Sequence, residues 1–295
     1  MAQPIKIKLD TDKYRIPTEE DIAAAKEYIL QREEYAGILG DRIDEVIAAA
    51  AERVVIICYR YNIDPKLLYL STAFNAEMMA EIAVVMDELE AAILRLILEY
   101  STRVALNSAR AVELAEWMYG LGKGDRNLQD TLYDYMYKMM KDWEAAIAAM
   151  RYAGLDAAKA STRIKTYLHQ IYNMPEVRSA FRRWQEFAAT YIRSRGVQYG
   201  AVGISNNGST NVVNMAKNTL QMAWMRNLYD EYIDGGAAGY LVFRGSDYHC
   251  DWCQGIVDVG FHTIDDYESF PPQHSRCTCW VLPVYKNQTN YGKTS

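Results

Sequence analysis

The chain has 295 residues, of which 50% are hydrophobic and 24% are charged, so it can bury a large core and does not have the composition of a disordered chain. Its 32 basic and 38 acidic side chains give a net charge of −6, which argues against a protein that coats nucleic acid over its whole surface. No uncharged apolar run reaches the roughly 18 residues of a membrane span, and the first residues, MAQPIKIKLDTDKYRIPT, lack the apolar stretch of a secretory signal. We therefore expect no membrane contact and a reducing cytoplasm as the place of synthesis.

Most of the chain is predicted to be helical. Residues 1–17 are interpreted as an extended N-terminal arm whose alternating apolar residues could add to another chain's surface. Thr18 then precedes three acidic residues, which is typical of a helix start. From there to residue 235 apolar side chains recur at helical spacing, with few breaks, among them Gly37 and Gly40. Residues 18–235 are therefore predicted to form an elongated helical body.

The composition changes after Gly235 and Gly236. Residues 240–243 and 280–284 are typical of short strands, and the segment between them contains four of the five cysteines. Residues 236–285 are therefore predicted to form a small module, followed by a loose polar tail at 286–295. The fold class expected is mostly α: a helical body with a small C-terminal α+β module stabilised by zinc.

The strongest chemical signal is a cluster of cysteine and histidine. Cys250 and Cys253 form a Cys-x2-Cys pair, 20 residues follow, and His274, Cys277 and Cys279 close the pattern. A Cys-x2-Cys turn presents two thiolates to one metal, and a second short pair completes a tetrahedron. In a reducing compartment such spacing favours a metal site over disulfides.

Zinc fits this donor set best, because thiolates with imidazole in fourfold geometry suit it. The spacing favours Cys250, Cys253 and His274 as three ligands. Either Cys277 or Cys279 would be the fourth ligand. The spacing does not choose between them, because both would point to the same side of an extended strand. A segment of about 50 residues with few aliphatic side chains needs such a metal to fold, so we expect a structural role.

The remaining histidines and the isolated cysteine are interpreted differently. His249 and His262 lack a paired ligand spacing and are weaker candidates. Cys58 follows four aliphatic residues and is predicted to be a small buried hydrophobic side chain.

The C-terminal segment resembles a known family over residues 211–284. The run Asp234–Tyr240 leads into a strand, Asp247 precedes the Cys-x2-Cys pair, and the segment ends in PPQHSRCTC from Pro271 to Cys279. This ending resembles the PP-x-H-P-x-C-R-C of the Mu F-like head morphogenesis proteins, the minor head proteins of tailed bacteriophages. Ser275 and Thr278 stand where that family usually has Pro and Arg.

The resemblance implies a non-enzymatic virion protein. Such a protein would act in head assembly at or near the portal, and it would be found in the virion and, during assembly, in the host cytoplasm. Its expected partners are the portal, the major capsid protein or both, and it could form a homo-oligomer. The alternatives from other classes are a zinc-containing phage-borne enzyme, such as a nuclease or toxin using His249, His262 or His274, and a nucleic-acid-binding adaptor.

Two further features bear on partners. The segment from Lys159 to Arg195 contains eight basic and two acidic residues, so it could contact packaged DNA or simply form a solvated face balanced by acids elsewhere. Tyrosine and methionine crowd together from Tyr133 to Met140, a composition that suits an interface as well as a core.

Overall fold

The structure is a computed structural model that describes residues 9–61, 63, 76–105, 107–121, 127–183, 207–245, 250–274 and 277–287, with only the backbone at 181–183. The described helices are α1 (Glu19–Arg60), α2 (Ala76–Ser101), α3 (Ser108–Tyr119), α4 (Leu128–Tyr152), α5 (Ala157–Thr166), α6 (Pro175–Arg183), α7 (Gly208–Asp234) and α8 (Asp251–Val259). The described strands are β1 (Gly239–Phe243), β2 (Phe261–Thr263) and β3 (Trp280–Val284). The prediction of a mostly helical fold with a small C-terminal sheet is confirmed.

The chain divides into two compact units. The first, here called the mixed unit, consists of Met1–Ala36, Val104–Leu114 and Leu220–Ser295. It contains the three described strands and α8. The second, here called the helical unit, consists of Gly37–Arg103 and Ala115–Thr219. The cysteine-bearing segment thus shares a unit with the first part of α1 and the last part of α7.

Long apolar stripes form the core of the helical unit. In α2 the buried apolar residues recur every three or four positions, as one face of a helix requires: Met78, Ile82, Val85, Leu89, Ile93 and Ile97. Helix α4 lies against α2, α5 and α6, and its Trp143 is fully buried. Burying a large apolar side chain contributes about 1.5–3 kcal/mol relative to leaving it exposed. This unit therefore obtains its stability from repeated side-chain burial.

Helix α1 continues through two glycines that the sequence pattern marks as breaks. Gly37 and Gly40 both lie inside α1, so that interpretation is wrong. The side chain of Lys217, from α7, occupies the space that a Cβ at Gly40 would need. A glycine in a helix interior costs roughly 1 kcal/mol relative to alanine. At Gly40 that cost is offset because the missing side chain allows Lys217 to pack there.

A three-stranded antiparallel sheet organises the mixed unit. The strand order is β2-β1-β3, so β1 is central and pairs with both neighbours. A Cβ at Gly239 in β1 would collide with the carbonyl oxygen of His262 in β2. Rings pack edge to face on the sheet, with the Phe270 centroid 4.9 Å from that of Tyr240 and 5.0 Å from that of Tyr229. The core that contains the buried cysteines therefore combines aromatic rings with aliphatic side chains.

The described part of the N-terminal arm contacts this chain's own C-terminal residues. Tyr14 forms an antiparallel β-bridge with Lys286. The Asn287 side chain donates hydrogen bonds to the carbonyl oxygens of Thr11 at 3.0 Å and Asp12 at 3.1 Å. Residues 11–14 thus pair within the chain, and the first two residues of the predicted loose tail are held. Pairing of the arm with another chain stays a prediction, because most of the alternating apolar residues behind it belong to residues 1–8. Residues 1–8 and 288–295 lie outside the described part of the chain.

Candidate metal centre

Two short segments of the mixed unit carry the clustered cysteines. Cys250 precedes α8 and caps it, because its Sγ accepts a hydrogen bond from the backbone N–H of Cys253 at 3.4 Å. The Cys-x2-Cys spacing thus places Cys253 in the first turn of the helix. Cys277 and Cys279 lie on the segment directly before β3. A helix N-terminus favours negative charge, which suits a thiolate at Cys250.

Five donor atoms lie close together around Cys253. The ligand atoms of Cys250, Cys253 and His274 are within 4.8 Å of one another, and so are those of Cys253, Cys277 and Cys279. The Sγ of Cys253 lies 3.2 Å from Nε2 of His274. All four cysteines are free thiols. The cluster could therefore hold a metal ion, and it offers one donor more than a tetrahedral site needs.

Hydrogen bonds between the thiols and burial both shift the pKa values of these cysteines. The side chains of Cys253, Cys277 and Cys279 are buried, whereas Cys250 and His274 are half-buried. Burial raises the pKa of Cys253 to about 12. A hydrogen bond with Cys279 lowers the pKa of Cys277 to about 5, and the same hydrogen bond, together with burial, raises the pKa of Cys279. Without a metal, the thiolate form is therefore favoured at Cys277 and disfavoured at Cys253 and Cys279. A bound cation would stabilise several thiolates at the same time.

The structure brings together all five candidate ligands and leaves His262 apart from them. His262 is 4% exposed. Its Nδ1 lies 2.9 Å from Oδ2 of Asp266, and its Nε2 lies 2.9 Å from the carbonyl oxygen of Ile256. Both ring nitrogens are therefore engaged in the core of the mixed unit. His249 lies outside the described residues.

The chain is tightly packed on one side of the cluster and exposed on another. A side chain at position 245 would collide with the carbonyl group of Thr278, which lies between the last two cysteines, so only glycine fits at Gly245. In contrast, Trp252 lies between the first two cysteines and is 69% exposed.

Sequence reasoning missed one residue beside the cluster. Arg32 in α1 is fully buried, and its Nη2 donates a hydrogen bond to the carbonyl oxygen of Cys277 at 3.0 Å. No local motif marks it, because the two residues are 245 positions apart. A helical-face signal did exist: Arg32 shares the spacing of the buried residues Ile29 and Ala36, so it is a charge on an apolar face.

The described basic side chains of the segment 159–195 have partners in the helical unit. Ion pairs join Lys159 to Asp156 at 3.2 Å, Arg163 to Glu176 at 3.2 Å, and Lys165 to Glu52 at 2.8 Å. Arg178 donates a hydrogen bond to the Asn173 side chain at 2.6 Å. These contacts favour the interpretation of a balanced surface. The side chains of Arg182, Arg183, Arg193 and Arg195 lie outside the described part.

The tyrosine- and methionine-rich part of α4 contributes to a cavity. Tyr133 and Tyr137 are 60% and 56% exposed. They line a cavity of about 320 Å³ together with four methionines, namely Met79, Met86, Met136 and Met140. Apolar cavities of about this size lie at the lower end of the range for binding sites. This surface has the composition of an interface as well as that of a core edge.

Cys58 does not belong to the cysteine cluster and has the properties of a core residue. It is fully buried in α1, and burial raises the pKa of its thiol to about 12. A thiol with such a pKa stays protonated near neutral pH and packs as a small apolar side chain, as the sequence predicts.

Among the described residues no helix is long and apolar enough to cross a membrane. Comparison of the chain with protein-family models, with curated proteins and with solved structures gives no match.

Proposed function

We propose that this chain is a minor head protein of a tailed bacteriophage, acting in head assembly at or near the portal and containing one structural zinc ion. The observation that carries the proposal is the cluster of four thiols and one imidazole in the segment that ends in PPQHSRCTC. That ending is where the sequence resembles Mu F-like head morphogenesis proteins. Partnership with the portal or the major capsid protein follows from the same resemblance.

Zinc is proposed because of the donor set, and a structural role because of its surroundings. Thiolates and imidazole at tetrahedral spacing suit zinc, and a structural site is closed by protein ligands. The buried positions of Cys253, Cys277 and Cys279 support such a closed site. His262, one of the three histidines that an enzyme at this location could use as an acid or base, is buried with both nitrogens engaged. These features support assembly over catalysis.

The cavity beside Tyr133 and Tyr137 supports an assembly role. Exposed tyrosines next to polarisable methionines provide adaptable contact area for a protein partner. We propose that this surface of the helical unit contacts the portal or capsid protein. Replacing both tyrosines with serine should reduce incorporation into heads while the helical circular dichroism signal is unchanged. Tyr119→Ser is the matched control, because Tyr119 is 42% exposed and does not line the cavity.

The deciding experiment is the composition of purified phage heads and portal complexes. Quantitative mass spectrometry should find the chain in heads in small copy number, and the purified chain should contain about one zinc per molecule. Absence from heads and from portal complexes would contradict the assembly role. Absence of zinc from the freshly purified chain would contradict the metal centre alone.

The same material distinguishes the alternative functions. A nucleic-acid-binding adaptor would bind DNA with an affinity that falls steeply with salt concentration. A zinc enzyme would lose activity when His262 is replaced although the fold is intact. The assembly proposal expects neither salt-dependent DNA binding nor an activity that depends on His262. On this proposal the chain does not bind packaged DNA directly.

A further inference from the structure

A buried arginine makes direct contact with the candidate metal centre. Arg32 is fully buried, and its Nη2 donates to the carbonyl oxygen of Cys277 at 3.0 Å. The same residue, Cys277, contributes one of the buried thiols of the cluster. The guanidinium group is charged at every accessible pH. A positive charge is therefore fixed beside the cysteines.

The described groups compensate this charge incompletely. A buried ion normally needs a partner of opposite charge and hydrogen bonds for each of its polar atoms. Arg32 donates to Oε1 of Glu33 from Nη2 at 2.8 Å and from Nε at 3.2 Å, but the Glu33 side chain is 40% exposed. The same carboxylate oxygen also accepts from Gln221 at 2.9 Å. Nη1 of Arg32 is buried and has no hydrogen-bond partner among the described residues.

The metal centre would carry the missing opposite charge. A divalent ion with four thiolates has a net charge of −2, and with three thiolates and a neutral imidazole a net charge of −1. Such excess negative charge is costly in a buried site without a nearby cation. We propose that Arg32 is a positioning and charge-balancing residue of the metal centre. This inference rests on the proposed metal binding and does not depend on the role in phage heads.

Arg32 would act in two ways. Its hydrogen bond fixes the peptide group of Cys277 and thereby the direction of that thiol. Its charge stabilises the thiolates that the ion requires. The two effects can be separated, because lysine keeps the charge and loses the planar fork, whereas methionine keeps most of the volume and loses both.

The experiment measures zinc affinity of the full chain by chelator competition, on variants whose circular dichroism matches the wild type. Arg32→Met should bind zinc about 10–100-fold more weakly, the usual loss for groups that support metal ligands. Arg32→Lys should recover most of this loss. Glu33→Gln should bind at least as tightly as the wild type, because it removes the competing carboxylate. Arg151→Met is the matched control, since Arg151 donates to the Ile63 carbonyl at 2.8 Å in the helical unit, and it should lower stability without changing zinc affinity.

Each outcome decides the proposal. It is overturned if Arg32→Met binds zinc as tightly as the wild type. If Arg32→Lys is as weak as Arg32→Met, charge balance is refuted and only positioning by the planar guanidinium group stands. If Arg32→Met does not fold, the comparison of Arg32→Lys with Glu33→Gln decides, because weaker binding by Glu33→Gln contradicts charge balance. A wild-type chain that binds no zinc refutes the metal centre itself, which is a separate result from any difference between variants.

Discussion

The two units of this chain are stabilised by different means. In the helical unit, helices such as α2 and α4 bury an apolar side chain at nearly every turn. In the mixed unit, β1 and β3 have five residues each and β2 has three, and the cysteine cluster lies beside them. A sheet this small needs a hydrophobic face or packing against a helix for independent stability, and the buried residues of β1, β3 and α7 provide it in part. The comparison indicates that a metal bound by the cysteine cluster would matter most in the unit whose strands are shortest.

Replacing Cys253 should have the largest effect and should affect only one unit. Cys253 belongs to both groups of three donors, so Cys253→Ser weakens every arrangement of the site. Structural zinc contributes roughly 10–16 kcal/mol of apparent binding free energy in small modules. We expect loss of zinc and rapid amide exchange in β1 and β3, while α2 and α4 stay protected. Hydrogen exchange with mass spectrometry measures the protection of each element, and zinc analysis of the purified variant measures the metal content.

The control for this variant is the isolated cysteine of the helical unit. Cys58→Ala should keep one zinc per chain and leave exchange in the sheet unchanged, because Cys58 is a buried thiol of α1. Equal loss of protection in both units after Cys253→Ser would show that the units do not differ in their dependence on metal.

A substitution that leaves a void in the core of the helical unit should have the next largest effect. Ile93 is fully buried in α2, and Ile93→Ala should lower the free energy of unfolding by about 2–5 kcal/mol, because it removes apolar contacts and leaves a void. Zinc content should not change. Urea denaturation with zinc analysis tests this, and Ile93→Val should cost only about 0.5–1.5 kcal/mol.

A methyl group in the centre of the sheet should have a smaller effect. Gly239→Ala places a Cβ against the carbonyl oxygen of His262, so β1 and β2 must move apart. Overpacking of this kind costs about 1–3 kcal/mol. We expect a lower urea midpoint for the mixed unit in the zinc-loaded protein. An unchanged midpoint would mean that the sheet is more adaptable than its pairing suggests.

The smallest predicted effect is a gain in stability. Gly255 in α8 and Gly37 in α1 have open space where a Cβ would be. Alanine at either position should stabilise its helix by roughly 0.5–1 kcal/mol, because alanine has the higher helix propensity. The urea midpoint of each single variant measures the gain. A loss at Gly255 would place that face of α8 in contact with another group.

The sequence predicts the long helices and the clustering of the cysteines with His274, because both signals are local. Helical spacing of apolar residues is visible in any window of α2, and the spacing of Cys250 and Cys253 fits one helical turn. The strand at 240–243 is also visible, since it is a short run of aromatic and aliphatic residues that follows two glycines. Whether Cys277 or Cys279 completes the site stays a prediction, because both lie beside Cys253.

Features that depend on tertiary contacts could not be predicted. Gly40 looks like a helix break until the Lys217 side chain that fills its space is known. Helical spacing places Arg32 on an apolar face, but the sequence does not show that its partner is the carbonyl oxygen of Cys277. The pairing of Tyr14 with Lys286 joins residues that are far apart in sequence. In each case a contact with a residue that is distant in sequence determines the conformation or the burial of the residue.

The exposed indole of Trp252 has a practical consequence. It lies between two candidate ligands and is 69% exposed, whereas Trp117 is half-buried and Trp143, Trp224 and Trp280 are buried. Its fluorescence emission should therefore respond to loading of the neighbouring ion, with paramagnetic cobalt quenching it more than zinc. The chain thus contains its own optical reporter, and the kinetics of ion exchange can be followed without an attached dye.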